Sequence, residues 1–306
     1  MTAKDFYRNR KGWVAPKLPP AEPEPPTSVP EPERDDAGGD PRPAGLHRDV
    51  PEEEYHADRS SLSQSGAKLL LRAPALYRHQ LDHREFTKAY DLGHAAHQLV
   101  LGVGMPLVVV DADSWRTKAA RAARDEARAN DRVPLLPAEH ERVQRMADAL
   151  AANQAAMALL GAGEPEVSAY APDEETGVMR RARFDWLTPG ILVDLKTANT
   201  AHPQAFARDA AKFGYDLQVA WYLDVATACG WDARAFAFVV VETDPPYLTS
   251  VVEWDADSIE VGRRKARRAL DLFAHCTATD TWPGYQEPGA ITQIRLPAWH
   301  FTEETP

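Results

Sequence analysis

Three short segments of β-type composition lie between residues 166 and 197 and constrain the fold of this 306-residue chain more than any other feature. Their sequences are EVSAY, MRRARFDWL and ILVDLKT, and the turn-forming clusters PDEETG and TPG separate them. Short segments of this kind, joined by such clusters, favour neighbouring antiparallel strands. The pattern therefore predicts a three-stranded antiparallel meander in the second half of the chain.

Helical patterns lie on both sides of this meander. Before it, serine caps and apolar residues at helical spacing predict helices at residues 62–81, with Pro74 interrupting or opening a second helix, and at 92–101, 114–130 and 137–160. After it, we predict helices in AFARDAAKF and YDLQVAWYLDVATAC, strands in RAFAFVVVE and LTSVVEW, and a final helix at 257–276. The order predicts an α/β core that follows a mainly helical part.

The beginning of the chain differs in composition from the rest. Ten of the 25 prolines lie in the first 50 residues, within an acidic stretch. Proline keeps a backbone extended, and repulsion between acidic side chains keeps it open. We therefore predict a disordered leader at 1–45 and a folded region at 46–306, of which 46–160 is mainly helical and 161–306 contains the sheet and the last helices.

The formal net charge of −11 argues at first against a nucleic-acid binder. Residues 16–58 alone hold 4 basic and 12 acidic residues, so most of the acidity belongs to the leader and its junction. Two basic clusters occur elsewhere, namely a helical stripe at Lys118, Arg121, Arg124, Arg128 and Arg132, and a group at Arg263, Arg264, Lys265, Arg267 and Arg268. Each cluster is a candidate DNA contact, most of all Arg121, Arg124 and Arg128, or alternatively a solvated helix face.

Composition also limits the location and the cofactors. No apolar run approaches the roughly 20 residues of a membrane span, and the N-terminus lacks the apolar region of an export signal, so we expect a cytoplasmic protein without membrane contact. Cys229 and Cys276 are too few for an iron–sulfur cluster. The chain contains no G-x-x-x-x-G-K-[ST] motif, so we expect no use of ATP.

Asp194 and Lys196 lie two residues apart in the third predicted strand and therefore share one face. The short turn at 188–190 can bring Asp185 of the preceding strand near Asp194. Two adjacent carboxylates repel each other unless a cation lies between them, and oxygen ligands suit Mg²⁺ or Mn²⁺. Such an ion would assist hydrolysis of a phosphodiester. For an isolated D-x-K, a surface ion pair on a hairpin is the alternative interpretation.

The D-x-K motif is part of a series of segments along the chain. In order, they are SLSQSGAKLLLRAPALY, LGHAAHQLVL, EVSAYAPDEETGVMRRARFDWL, ILVDLKT with the motif itself, YDLQVAWYLD, TDTWPGYQ and LPAW. They extend from about Leu62 to Trp299. Together they resemble the RecE-type exonuclease VIII branch of the PD-(D/E)XK nuclease superfamily, related to lambda exonuclease and the RecB nuclease domain. The resemblance implies an α/β fold with a restriction-endonuclease-like core, a central mixed sheet and a helical N-terminal subdomain.

The resemblance also implies roles for individual residues. His97 would ligate a metal through one imidazole nitrogen, and Asp185 and Asp194 would be the two acidic ligands. The backbone carbonyl of Leu195 would complete the metal shell. Lys196 would be the catalytic lysine.

Four more residues are candidates for the site. Glu166 matches an acid of the family and would ligate a metal or orient a ligand, or else be an exposed strand acid. Gln218 and Tyr222 correspond to the family's Q-x-x-x-Y and would reach DNA or the active site, although a tyrosine at such a position is often part of the core. Arg183 shares a strand face with Asp185 and would grip a phosphate.

Two features leave alternatives or depart from the family pattern. His94 and His97 are three residues apart, a spacing also compatible with a zinc pair or with core histidines, and the order G-x-x-x-H selects His97. The literal Pro-Asp is absent, because Phe184 precedes Asp185, and the second acid is Asp194 where many relatives have Glu. A carboxylate is present at both positions, so ligation is possible.

The function implied by the resemblance is that of a Mg²⁺-dependent exonuclease acting on double-stranded DNA ends, with Mn²⁺ able to substitute. The resemblance further implies 5′→3′ digestion, 3′ single-stranded tails for a RecT-type annealing protein in recombination, a ring-shaped homo-oligomer, and occurrence in phages or prophages. A structure-specific endonuclease on the same core is one alternative. A catalytically inactive recombination scaffold that binds DNA ends is another.

Overall fold

A computed structural model of the protein describes residues 42–83 and 91–297. The predicted leader up to residue 41, and Trp299 of the last family segment, lie outside the described residues. The helices are α1 Glu52–Ala57, α2 Gln64–Arg72, α3 Pro74–Asp82, α4 Asp91–Leu101, α5 Lys118–Ala129, α6 Pro137–Ala151, α7 Gln154–Leu160, α8 Pro203–Phe213, α9 Tyr215–Ala228 and α10 Ala256–Thr279. Within the described ranges, no helix has the length and apolarity needed to cross a bilayer.

The strands form one large and one small sheet. They are β1 Gly45–His47, β2 Leu62–Ser63, β3 Leu107–Val109, β4 Val133–Leu135, β5 Glu164–Pro172, β6 Met179–Thr188, β7 Gly190–Ala198, β8 Ala233–Glu242 and β9 Thr249–Glu253. The large sheet has the order β1-β5-β6-β7-β8-β9, with β2 beside β6, and β3 pairs with β4 in the small one.

The predicted meander is confirmed, because β5, β6 and β7 are consecutive antiparallel neighbours. β7 and β8 are parallel, since α8 and α9 connect them, and the sheet is therefore mixed as expected. β1 and β2, which precede most of the helices, pair with β5 and β6. The mainly helical part thus contributes two strands to the sheet that carries the D-x-K motif.

Capping side chains set several helix boundaries. The Ser63 hydroxyl accepts the N–H of Gly66 at the start of α2, and Pro74 occupies the first turn of α3, where its missing N–H costs nothing. The predicted interruption at Pro74 is therefore confirmed. Residues 137–160, predicted as one helix, form two, because Asn153 leaves the helical conformation and caps Ala156 at 3.1 Å.

Two further predictions about the helical part need correction. The helix predicted from residue 114 begins at Lys118, where Thr117 caps it by accepting the N–H of Ala120. The segment that joins α5 and α6 includes strand β4, which the pattern did not indicate. Its pairing partner β3 is distant in sequence, so no local periodicity could reveal it.

The large sheet lies between two layers of helices, as the alternation in β8 shows. Phe236, Phe238 and Val240 pack with α2, α9 and α10 in one buried cluster. Val239 and Val241 pack with α4 and α6 on the opposite face. Because both faces are covered, β8 is almost entirely apolar, as expected for a central strand with a parallel neighbour.

α9 and α10 approach each other very closely at Gly262. A Cβ at this position would lie only 2.1 Å from the backbone oxygen of Asp216 in α9, so a larger residue would push the helices apart. Lys265 of α10 also places its Nζ 2.6 Å from Asp216 Oδ2. The two contacts fix α9 against the sheet at the turn that carries Gln218.

Candidate active site

The hairpin of β6 and β7 opens at Asp185. Backbone pairing between the two strands ends at Trp186 and Val193. One residue further, Asp185 Oδ2 accepts the backbone N–H of Leu195 at 2.9 Å, so a side chain replaces the backbone partner. Upstream of this point β6 pairs with β2. The opening, which we call the fork, is where most of the predicted site residues meet.

His97 reaches the fork from α4, on one face of the sheet. Its Nε2 lies 3.0 Å from the Leu195 oxygen and 3.5 Å from Asp185 Oδ2. A carbonyl oxygen only accepts hydrogen bonds, so Nε2 donates, and metal ligation through Nε2 would require this proton to leave. His94, one turn earlier, is exposed, whereas His97 is partly buried.

Glu166 reaches the fork from β5 through an unusual backbone conformation. Its φ of 53° lies in the left-handed region, which costs a residue with a Cβ on the order of 1 kcal/mol and is often found at functional sites. Donor atoms of Glu166, His97 and Asp185 all lie within 4.8 Å of one another. Glu166 is therefore a partly buried member of a cluster, and the alternative of an exposed strand acid is wrong.

Asp194 and Lys196 face the other layer of helices. Asp194 is only 2% exposed, and its Oδ2 lies 2.5 Å from Lys196 Nζ, so the alternative of a surface ion pair is wrong. Gln218 of α9 donates from Nε2 to Asp194 Oδ1 at 2.5 Å. The fork therefore receives side chains from both faces of the sheet.

Burial and mutual repulsion perturb the acids of the fork. Burial raises the pKa of Glu166 to about 7, with the charge of Asp185 adding to the shift and Arg183 opposing it. Burial also raises the pKa of Asp194 to about 6, with Asp185 adding to the effect and Lys196 opposing it. Negative charge at the fork is thus only partly balanced by the protein's own cations.

The basic groups respond in the opposite direction. Burial alone lowers the pKa of Lys196, but the charges of Asp194 and Asp185 outweigh burial, and the pKa is raised. Burial likewise lowers the pKa of His97, and the same two carboxylates again produce a net increase. Lys196 is therefore held as an ammonium group.

The donor set at the fork fits a divalent cation. Glu166 and Asp185 offer carboxylate oxygens, Leu195 offers a carbonyl oxygen, and His97 offers a nitrogen. Hard oxygen ligands with one imidazole suit Mg²⁺ or Mn²⁺. A bound cation would also relieve the repulsion that raises the carboxyl pKa values.

Asp194 lies differently from the other predicted ligands. One of its oxygens accepts from Gln218 and the other faces Lys196. The compact cluster of donors within 4.8 Å consists instead of His97, Glu166 and Asp185. A ligand role for Asp194 stays a prediction, and the structure gives Glu166 the more central position.

The two residues of the Q-x-x-x-Y motif occupy different environments. Gln218 is buried and donates to Asp194, so it lies at the fork. Tyr222 is partly buried between Phe184 and Phe236, with ring centres 5.5 and 6.1 Å away. Burial raises the pKa of Tyr222 well above its ordinary value. DNA contact by either residue stays a prediction.

Arg183 contacts groups of the protein itself. Its Nε lies 2.8 Å from Glu166 Oε2, Nη2 donates to the Val50 oxygen at 2.6 Å, and the guanidinium lies 5.3 Å from the centre of the Tyr55 ring. The contribution of Val50 and Tyr55 was missed, because no local pattern links residues so distant in sequence. These contacts make Arg183 an orienting partner of Glu166, and its predicted phosphate contact remains untested.

Four residues of the predicted basic stripe, Lys118, Arg121, Arg124 and Arg128, lie in α5, whereas Arg132 follows the end of the helix at Ala129, so its place in the stripe was predicted wrongly. Arg121, Arg124 and Arg128 recur at helical spacing, and Arg124 donates to Asp125 at 3.0 Å and lies 6.0 Å from the centre of the Trp115 ring. α5 packs against β4 of the small sheet, whereas the fork residues come from α4, α9 and the large sheet. A DNA contact at this stripe stays a prediction.

One comparison with a solved structure agrees with this architecture. An exonuclease candidate from Eubacterium rectale aligns with a TM-score of 0.56 and 12% identity, over 85% of this chain and 100% of its own. At that identity the likeness concerns the fold alone. An alkaline exonuclease from Laribacter hongkongensis aligns with a TM-score of 0.28 and 15% identity, over 60% of this chain and 90% of its own. Among curated proteins, none matches the chain.

A family profile decides the classification. The profile of the PDDEXK-like domain of unknown function (DUF3799) matches residues 63–295 and so includes the fork with Glu166, Asp185, Asp194 and Lys196. The expected PD-(D/E)XK core is confirmed, whereas the RecE-type branch within that superfamily stays a prediction. By this match, the chain belongs to the family of the PDDEXK-like domain of unknown function (DUF3799).

Proposed function

We propose that this protein hydrolyses phosphodiester bonds of double-stranded DNA from its ends, using a divalent cation. One arrangement carries the proposal: the buried Asp194 pairs with the partly buried Lys196 beside Asp185, Glu166 and His97, where a hairpin opens. Placing five ionisable groups together in a partly buried cluster is unfavourable for folding, and such clusters are typical of sites that act on charged substrates. Membership of a PDDEXK-like family supports the same chemistry.

Four groups of this chain would hold the cation, namely Glu166, Asp185, His97 and the Leu195 carbonyl. When bound, a divalent cation supplies positive charge beside the phosphate and lowers the pKa of a coordinated water. Mg²⁺ suits the oxygen donors, and Mn²⁺ accepts the imidazole as well. Arg183 would keep Glu166 aimed at the fork through their ion pair.

Lys196 would stabilise charge on the reacting phosphate. Because its pKa is raised, Lys196 stays protonated near neutral pH. It is therefore suited to donate hydrogen bonds to the phosphate and unsuited to act as a general base. Asp194 holds the ammonium at 2.5 Å, and Gln218 holds Asp194 from the other side. A cation fixed in advance where negative charge develops lowers the barrier to reaction.

The finer features of the proposal are supported by the family resemblance. They are 5′→3′ polarity, 3′ single-stranded tails, a RecT-type annealing partner in recombination, a ring-shaped homo-oligomer and a phage or prophage setting. A cytoplasmic location is proposed from the sequence. A ring would keep the enzyme on its substrate by enclosing the duplex.

The test compares the full chain with Asp194→Ala and Lys196→Ala on end-labelled linear duplex and on covalently closed circles, with Mg²⁺ or with EDTA. We expect the wild type to digest linear DNA only with Mg²⁺ and to spare circles. Each variant should lose at least about 100-fold in rate. Arg234→Ala is a matched control, because Arg234 lies at the start of β8, the end of the parallel pair away from Lys196.

Each contrary result has a distinct meaning. Digestion without metal, or full activity of Asp194→Ala, would refute a metal-dependent nuclease. Cleavage of closed circles would identify an endonuclease instead. Tight binding of DNA ends without digestion in Mg²⁺ and in Mn²⁺ would identify a binding scaffold.

A further inference from the structure

Phe213 is an exposed aromatic residue, and the ring of Tyr215 lies between it and Lys196. Lys196 Nζ is 5.1 Å from the centre of the Tyr215 ring, and that ring lies 5.9 Å from the ring of Phe213. Phe213 ends α8 and remains 48% exposed. A large apolar side chain is thus presented to solvent on the path that leads outward from Lys196.

Positive charges surround Phe213. Lys68 of α2 donates from Nζ to the Phe213 oxygen at 3.1 Å, and Lys212 Nζ lies 5.9 Å from the centre of the Phe213 ring. Burial lowers the pKa of Lys68, and the charges of Lys196 and Arg72 lower it further. Several cations are therefore held close enough to repel one another, which an anionic ligand would relieve.

The local backbone supports this arrangement. Gly214 has a φ of 73° and caps the C-terminus of α8, and a Cβ there would lie 3.3 Å from Lys68 Cδ. The glycine lets the chain turn directly into α9 while Lys68 packs over the turn. Asp209 adds one negative charge beside Tyr215. The three positive charges of Lys68, Arg72 and Lys212 outnumber it, so the surface is cationic.

Aromatic rings flanked by cations suit unpaired nucleotides. A ring can stack on any base, and neighbouring lysines neutralise the phosphates without selecting sequence. We propose that Phe213, Lys68 and Lys212 bind single-stranded nucleotides of the DNA strand adjoining the fork, with Phe213 stacked on a base and the lysines on phosphates. The inference rests on the proposed nuclease function and names the part of the substrate that this surface holds.

The first test is binding of a fluorescent oligothymidylate by the full chain, with Ca²⁺ in place of Mg²⁺. Phe213→Ala should weaken binding by about 5- to 100-fold, and Phe213→Trp should restore it. Replacing Lys68 and Lys212 with Ala should lower the slope of log affinity against log salt by about 0.7 per lysine. Arg234→Ala serves as the surface control.

The second test compares hydrolysis of linear duplex and of methyl p-nitrophenyl phosphate, a diester too small to span the surface, with Mg²⁺. Phe213→Ala should lose at least about fivefold more on DNA than on the small diester. Equal losses on both substrates, or binding and digestion like those of Arg234→Ala, would overturn the inference. If the wild type binds the oligonucleotide but cleaves neither substrate, the nuclease proposal fails, while weaker binding by Phe213→Ala still supports this surface.

Discussion

The carboxylate of Asp185 accepts the backbone N–H of Leu195 across the fork at 2.9 Å. The carbonyl of the same Leu195 faces His97 Nε2 at 3.0 Å. The Asp185 side chain therefore ends the pairing of β6 with β7. It also fixes the backbone of Leu195, whose carbonyl oxygen is a candidate metal ligand. The structural role needs a hydrogen-bond acceptor, whereas metal binding needs negative charge, so substitutions can separate the two roles.

Asp185→Asn should preserve the fold and weaken metal binding. The amide oxygen can still accept from Leu195, so the melting temperature should change little, but the charge is lost. Changing a group that only orients a ligand typically costs 10- to 100-fold in metal affinity, so loss of a ligand charge should cost at least about 10-fold. Calorimetric titration with Mn²⁺ and thermal unfolding measure the two effects, and an affinity equal to that of the wild type would contradict the assignment.

Arg183→Ala should raise the Mg²⁺ concentration needed for half-maximal activity at pH 7. Arg183 opposes the increase in the pKa of Glu166, so its removal leaves more of Glu166 protonated. The increase should reach up to about 10-fold, which corresponds to one pKa unit.

Combining this change with Glu166→Gln distinguishes two roles of Arg183. If Arg183 acts through Glu166, Arg183→Ala should have no additional effect on the Mg²⁺ requirement in the Glu166→Gln protein. If Arg183 instead binds a phosphate of the DNA, Arg183→Ala should raise the KM for DNA whether residue 166 is Glu or Gln. Steady-state kinetics of the wild type and the three variants separate these outcomes.

The free energy of unfolding in EDTA should fall as the pH rises from 5 to 8. Glu166 has a higher pKa in the folded protein than its ordinary value of 4.5, so the folded state binds more protons, and this contribution to stability is lost as the pH passes about 7. The raised pKa values of Asp194 and His97 act in the same direction. Urea unfolding should show a decrease on the order of 2 kcal/mol.

Mg²⁺ should reverse this dependence, because a cation binds the deprotonated carboxylates. Saturating Mg²⁺ should therefore raise the free energy of unfolding at pH 8 and have little effect at pH 5. Glu166→Gln should flatten the profile in EDTA. A stability that rises with pH in EDTA over this interval would show that the acids of the fork are not destabilised by burial.

Gly262→Ala should destabilise the protein by about 1–3 kcal/mol, although alanine favours helices. The added Cβ would lie 2.1 Å from the Asp216 oxygen, so α9 or α10 must move. Gln218 lies two residues after Asp216, and its contact with Asp194 should loosen, which would lower activity. Urea unfolding and nuclease assays measure both effects, with Gly284→Ala as a control, because φ is not positive there and an added Cβ meets no atom within 4 Å.

Part of the site could be predicted from the sequence because it depends on local geometry. Asp194 and Lys196 share a strand face, and a two-strand hairpin brings Asp185 beside them. The segment order and the family resemblance pointed to His97 and Gln218, and the structure places both at the fork. Turn chemistry, through Pro74 and the residues at 188–190, set boundaries that were confirmed.

Other features could not be predicted, because they depend on contacts between distant residues. No periodicity indicates that β4 pairs with β3, or that Val50 accepts a hydrogen bond from Arg183. The left-handed backbone conformation of Glu166 could not be predicted either, because glutamate is not a residue type that indicates a turn.

The sequence by itself determined the order of the elements from β5 to α10, the shared face of Asp194 and Lys196, and the hairpin that brings Asp185 to them, because neighbouring residues and short turns specify these features. Only the tertiary structure decided that Glu166, and not Asp194, joins His97 and Asp185 in the compact donor cluster. It also decided that Lys68 of α2 donates to the backbone oxygen of Phe213 at the end of α8. The physical reason is that burial and charge pairing depend on which elements pack together in space, and packing joins residues that are far apart along the chain.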